Sequence, residues 1–497
     1  MYFCANIVKL MQNILNYRQK FANLKKWIRY LPVGLAMSDG AMGESALLSQ
    51  APERVDSEQQ SLALILNLLR KEEAHTKLEI ERISGLGRAI VADRVATLAE
   101  LKLVDESEMG VASGGRAPRN IKFNEAAALF MVAHVDQSTI GVGLADLNGR
   151  LVFEHHEPSD SIADHQAILA RITSLFDWAL EQHLDGREIW GIGLSVEGPV
   201  EQNENQHFAS PTLHFLPSWD GARIVEGFVA KYAAPVWVRN TTQMTTLGEL
   251  RAGGGRGASD MLFVDLGKEI TAGIVCDGRL YRGAQGGAGL IGHISTGDDN
   301  QTPCKCGNLG CLETVAGADA ISRAAIKAAQ SGQSAELAEI LAINGELSPT
   351  DVATTAIMGD AFSAELLARS GRLIGTTIAS LTNAFNPSLI VLGGPWAQQS
   401  DILLAAIREA IYRRSHPLVS RDLKIVRSQM SGSATLIGLA LSMVDDIFAP
   451  YPLARWVKHA SPLTHPQIVN SIAATKNDVV QRARRLVPPA LISKLAL

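Results

Sequence analysis

The sequence predicts an α/β protein of more than one domain, on three observations. Its 497 residues exceed what a single hydrophobic core usually serves. From Leu129 onward, short apolar runs alternate with stretches of helical periodicity, and the alternation occurs twice. Ahead of that body, residues 57–124 carry apolar residues at helical spacing and end in a Gly-rich, strand-like segment. The expected layout is an extension over 1–56, a small helical head over 57–124, a two-halved body over 129–447 and a tail over 448–497.

Composition excludes several classes. With 46% hydrophobic and 20% charged residues the chain reads as a soluble globular protein. No apolar run reaches the ~20 residues needed to cross a bilayer. The first thirty residues are interrupted by Lys9, Arg18 and Lys20, so they hold no continuous signal-peptide core. They read as a basic amphipathic helix, or as a leader ahead of a true start at Met37 or Met42. The net charge of −5 gives no overall signal for nucleic acid, but only the local field at a contact decides that. Five cysteines, three of them clustered, point to a reducing cytoplasm.

In the head, Leu62, Ile65, Leu66 and Leu69 recur at helical spacing. Thr76 with Glu79 three residues on forms a capping box before a short helix from Leu78 to Ile83. Ser-Gly-Leu-Gly makes a turn, and Arg88 to Leu101 makes a longer helix. Two helices joined by a short Gly-containing turn is the helix-turn-helix arrangement, whose second helix lies in the major groove of DNA. The segment after Val104 reads as a two-stranded wing. Its tip, Gly115-Arg116-Ala117-Pro118-Arg119, suits a narrow minor groove of high negative potential. The acids of the head equal its bases in number, yet Arg88, Arg94, Arg116 and Arg119 fall on the second helix and the wing.

In the body, residues 130–157 read as a hairpin, Ile162 to His183 as a helix and residues 189–200 as an apolar strand ending in a Gly-Pro turn. VWVRN is a strand, MTTLGELRAG a helix, and MLFVDLG and TAGIVCDGRLYRG two more strands, the second turning at Asp277-Gly278. Residues 315–385 are mostly helical. Leu389 to Gly394 is a buried parallel-type strand, LKIVRS the last strand, and Ser433 to Val444 a closing helix. The tail carries Pro-rich punctuation with Arg482, Arg484 and Arg485, and has no assignment.

The chemistry concentrates between Gly286 and Glu313. Cys304, Cys306 and Cys311 follow His293, and thiolate and imidazole donors in that number match the four-coordinate preference of structural zinc. Gly307 and Gly310 let the backbone fold tightly around an ion. The alternative is buried free thiols or one disulfide, which would orphan the third cysteine.

His293 followed by CKCGNLGCLE resembles the signature of the ROK family of repressors, open reading frames and kinases. The likeness runs from about Glu58 to Asp446. It implies two actin-like, ribonuclease-H-like lobes of the sugar-kinase type around a cleft, behind a winged helix. It also implies that His293 serves both metal and sugar, and that Asn240 and Glu313 contact the sugar. Four positions depart from the kinases of the family. The first phosphate turn reads Asp136-Gln137-Ser138-Thr139, without its glycine. The second reads Leu266-Gly267-Lys268-Glu269-Ile270-Thr271, with an acid near the phosphate. The catalytic Asp after Asn240 is Thr241, whose hydroxyl is no base near neutral pH. The Glu three residues before the zinc His is Leu290.

The reading is a cytoplasmic, DNA-binding regulator of carbohydrate metabolism, a repressor in kind and dimeric or larger on a two-fold operator. Its kinase-like domain is catalytically silent, holds structural Zn2+ and senses a sugar or sugar phosphate. The rivals are an active sugar kinase with an added DNA-binding head and a DNA-binding protein blind to ligand.

Overall fold

The structure, a computed structural model, describes residues 57–106, 119–136, 139–159, 165–198, 200, 221–297, 301–430, 432–466, 468–470 and 472–477. The extension over 1–56, the wing tip with Arg116, and the arginines at 482, 484 and 485 lie outside the described residues.

The head begins with α1 (Ser57–Arg70), which buries Leu62, Ile65, Leu66 and Leu69. Its next helix, α2 (Lys77–Ser84), starts on the expected capping box. The Thr76 hydroxyl accepts from the Glu79 amide at 3.2 Å, and the Glu79 carboxylate accepts from the Thr76 amide at 3.0 Å. Gly85, at φ +69°, ends it, and α3 (Arg88–Glu100) follows, burying Val91, Val95 and Leu98 on one face. Strands β1 (Val104–Asp105) and β2 (Lys122–Phe123) then pair antiparallel.

Each half of the body is built on five strands in the same order. In the first, β3 (Ala128–Val135), β4 (Thr139–Ala145), β5 (Leu151–Pro158), β6 (Glu188–Val196) and β7 (Val236–Asn240) lie in the order β5-β4-β3-β6-β7. In the second, β8 (Met261–Leu266), β9 (Ile270–Cys276), β10 (Arg279–Tyr281), β11 (Leu389–Gly393) and β12 (Lys424–Arg427) lie in the order β10-β9-β8-β11-β12. In both, the first three strands form an antiparallel meander and the last two join parallel. This duplication is the actin-like architecture. Strands β3 and β11 are buried along their whole length, as inner strands covered on both faces must be.

Two expectations change. The run read as one hairpin is a three-stranded meander, because a second turn lies inside it, where the Asp146 carboxylate accepts from the amides of Asn148 and Arg150. The helix expected from Met244 starts three residues sooner as α6 (Thr241–Arg251), after α4 (His165–His183) and α5 (Gly221–Tyr232). Asn240 supplies the early start by capping it, accepting from the Gln243 amide at 2.9 Å.

The second half carries α7 (Ala318–Gln330), α8 (Ala335–Asn344), α9 (Pro349–Met358), α10 (Ala361–Phe385) and α11 (Asp401–Arg414). The closing helix α12 (Ser433–Ile447) crosses α6 backbone to backbone. A Cβ on Gly248 would lie 1.9 Å from the Ala434 carbonyl oxygen, and one on Gly438 1.8 Å from that of Met244.

The tail acquires a place in the fold. Helix α13 (Pro450–Trp456) lies against α1. Phe448 and Trp456 meet Trp190 of β6, and Phe448 meets Phe123 of the wing at 6.0 Å between ring centroids. One apolar cluster therefore runs from Ile65 and Leu66 in the head through Phe130 and Met443 to Leu453 in the tail. Arg70 of α1 pairs with Asp445 of α12 at 2.8 Å beside it.

Candidate ligand cleft, metal cluster and nucleic-acid face

The metal loop hangs between β10 and α7. His293 ends a single turn of 3-10 helix, and a bridge between Ser295 and Cys311 closes the loop behind it. Gly307 and Gly310 take φ of +91° and +72°, as the tight turns between the cysteines require. His293 Nδ1 lies 3.5 Å from Cys304 Sγ, and Cys306 Sγ lies 3.7 Å from Cys311 Sγ. All four donor atoms fall within 4.8 Å of one another. Zinc bonds of the usual lengths in a tetrahedron separate two sulfurs by about 3.8 Å and a sulfur from a nitrogen by about 3.5 Å. The donor set and its spacing fit zinc.

Glu313 sits two residues past Cys311 and ties this loop to the neighbouring strand, accepting from the Ile270 amide of β9 at 2.7 Å. Burial is the main force raising its carboxyl to about 7, with the Ile270 amide opposing and Glu269 adding repulsion. Asn240, at the end of β7, donates from Nδ2 to the Gly198 carbonyl at 2.6 Å. Asn240 thus stands at the end of β7 in the first half, and Glu313 beside the metal loop in the second.

Next to Asn240, the Thr241 hydroxyl is 2.8 Å from Ser195 Oγ. Ser195 lies 3.4 Å from His134 Nδ1, whose Nε2 is 2.9 Å from Asp136 Oδ2. A continuous polar chain therefore runs from Thr241 through Ser195 and His134 to Asp136. Asp136 also accepts from the Thr139 amide at 2.6 Å, so a side chain closes the first turn. In the second turn both charged residues are already paired: Lys268 with Asp319 at 3.0 Å, and Glu269 with Lys305 of the metal loop.

Two acids that the sequence reading passed over stand at strand ends beside Asp136. Glu197 follows the last residue of β6, and Asp265 is the penultimate residue of β8. Burial, then repulsion from Asp136, Glu269 and Asp265, pushes Glu197 up to about 7. Burial, then Asp136, pushes Asp265 up to about 6. A signal for Glu197 was available: an ionisable residue closing an apolar strand directly before Gly-Pro.

On the head, Arg88 opens α3 and is exposed, as is Arg119 at the foot of the wing. Arg94 is turned inward. Its guanidinium meets Ser61 Oγ and Glu58 of α1, each at 3.2 Å, and its neighbour Asp93. It braces α3 on α1.

The ROK family model matches residues 136–446. The chain belongs to the ROK family. Among its relatives, the DNA-binding transcriptional repressor Mlc of Escherichia coli is 26% identical over 372 residues, covering 74% of this chain and 88% of Mlc. A glucokinase of Halalkalibacterium halodurans is 30% identical over 305 residues, covering 61% of this chain and 91% of that enzyme. A solved ROK family transcriptional regulator, a homologue of the E. coli Mlc protein, superposes with a TM-score of 0.68 at 25% identity. It covers 81% of this chain and 99% of its own. This ROK chain is thus similar to both a regulator and a kinase of the family. Among the described residues, no single helix is long and apolar enough to cross a membrane.

Proposed function

We propose that this ROK protein is a DNA-binding transcriptional regulator of carbohydrate metabolism, a repressor in kind, whose kinase-like cleft binds a sugar without phosphorylating it. The observation that carries this reading is Thr241. General-base removal of the sugar proton needs a carboxylate or imidazole within hydrogen-bond reach, and the group beside Asn240 is a hydroxyl already bonded to Ser195. Leu290 is a second loss of the same kind, leaving Asn240, His293 and Glu313 as the sugar's partners. In the phosphate turns, the first lacks its glycine and has its Thr139 amide already bonded to Asp136, and the second carries Glu269 where backbone amides would meet ATP.

The head, residues 57–124, is the DNA reader of this proposal. Helix α3 enters the major groove by its N-terminal end, where Arg88 is exposed, and the wing brings Arg116 and Arg119 to the backbone and minor groove. The similarity to Mlc and to the solved Mlc homologue supports it. One winged head covers few base pairs, so a homodimer on paired half-sites supplies the specificity. His293, Cys304, Cys306 and Cys311 hold zinc, which closes the loop bearing Glu313.

The glucokinase relative favours a second reading, an active kinase with an added head. Two measurements separate them. ADP release across hexoses and N-acetylated hexosamines should stay at background for the zinc-loaded chain, and selection of genomic fragments should recover a two-fold operator. Phosphate transfer by the unmodified chain would establish the kinase. Absence of any selected sequence would remove the regulator.

A further inference from the structure

Resting on the reading of the cleft as a ligand site and of the head as a DNA reader, we infer that Asp445 and Asp446, adjacent on α12, are the residues that couple the two. Asp446 holds the ligand side. Its carboxylate pairs with Arg239 of β7 at 2.5 Å, and the same guanidinium donates to Ser442 Oγ at 3.3 Å, one turn back along α12. Arg239 immediately precedes Asn240. Asp445 holds the head. It pairs at 2.8 Å with Arg70, the last residue of α1, and at 3.5 Å with Arg251, the last residue of α6. Asn240 therefore reaches the aspartates by two routes. One runs through its neighbour Arg239, the other through α6, which Asn240 caps and which ends at Arg251. From Arg70 the line continues along α1, whose Glu58 and Ser61 are fastened to Arg94 of α3.

Two features suit these contacts to transmission. Successive residues of a helix project about 100° apart, so Asp445 and Asp446 meet different elements while sharing one rigid turn. A shift of α12 that follows Arg239 is therefore imposed on Arg70, and the reverse. The side chains of Arg70 and Arg239 are only 7% and 8% exposed, and a buried guanidinium that loses its carboxylate is strongly unfavourable. Each buried pair thus moves together. Arg251 and Asp445 are 40% and 36% exposed, so their longer contact can stretch without stranding a charge, which leaves α6 free to move against α12. Buried ion pairs add little net stability over apolar packing of the same volume; what these fix is which elements travel together.

The test is hydrogen exchange, read by mass spectrometry on the full-length, zinc-loaded protein over residues 88–100, 239–246 and 361–385. Arg239→Met should speed exchange in 88–100 by about fivefold or more, and Arg70→Met should do the same in 239–246, the low end of coupling between linked sites. In an Asp445→Asn background, adding Arg239→Met should leave 88–100 unchanged. Residues 361–385 pack in a separate core of the second half and should not respond in any variant. A response confined to the segment beside each substituted residue would overturn the inference. So would a rise in all three segments, which marks general loosening. A second arm adds the duplex recovered by genomic selection at saturation. It should slow exchange in 239–246 of the parent by about fivefold or more, and leave that segment unchanged in Asp445→Asn while the variant still holds the duplex. Equal slowing in both would overturn the inference. If the parent holds no selected duplex, the DNA-reading head falls instead, and the substitution arm still decides whether the aspartates couple the two ends.

Discussion

Glu197 and Thr241 directly follow the paired strands β6 and β7, and each carries a testable consequence. A carboxyl raised from 4.5 to about 7 holds its proton more tightly in the folded chain than in the unfolded one. Between those two values the folded state binds more protons, so this group's contribution to stability falls as pH rises through the window. Glu197→Gln removes the titration. Its melting temperature relative to the parent should therefore climb from pH 5 to pH 8; a constant difference would show that Glu197 is not desolvated as described. Thr241 makes a different prediction. Thr241→Asp, even combined with Leu290→Glu, should leave sugar phosphorylation near background, because Glu269 and the side-chain-closed turn at Asp136 still deny the phosphates their amides. Turnover by that double variant would mean that the phosphate turns are functional. On the head, Arg116→Ala should weaken operator binding by roughly 1–3 kcal/mol, and Arg88→Ala with Arg116→Ala should abolish it. Arg94→Ala should act instead through stability, since its guanidinium is spent on α1.

At the scale of elements, the metal loop and the crossing of α6 with α12 are the two places where small changes should have large effects. Cys306→Ser should take the protein from about one zinc per chain to well below that, and lower its melting temperature, because metal binding and loop folding are one event. Unchanged metal content on elemental analysis would dismiss the ligand assignment. Gly438→Ala should cost about 1–3 kcal/mol in denaturant unfolding, since its methyl group has nowhere to go but the Met244 carbonyl. The metal loop was legible in the sequence, because ligand chemistry fixes residue types at short spacings: His293 and the three cysteines are neighbours along the chain. The strand and helix order was legible for a similar reason, since alternation and helical period are local. What escaped was long-range. The inward turn of Arg94 depends on Glu58 and Ser61 some thirty positions earlier, whereas the extra strand followed a local signal, Asp146-Leu147-Asn148-Gly149, that the reading passed over. The acids of the cleft belong to separate strands, and no spacing rule joins Glu197 to Asp265.

For the whole molecule, the continuous core from α1 to α13 makes head, first lobe and tail one unit. Trp456→Ala should destabilise it by about 3–5 kcal/mol and raise hydrogen exchange in α1, although the substitution lies far from α1 in the chain. Unaltered exchange in α1 would mean that the tail does not support the head. The same packing bears on the order in which the protein is made. The head leaves the ribosome before the two lobes, but Leu453 and Trp456, which complete its core, are translated about 330 residues later. At ordinary elongation rates that is a wait of roughly 15–60 s. During it the part of α1 that α13 covers stays open, and the nascent chain carries α3 on an unfinished support. A newborn chain should therefore acquire operator affinity only once α13 has emerged, all at once, which pulse-labelled translation with operator capture can follow.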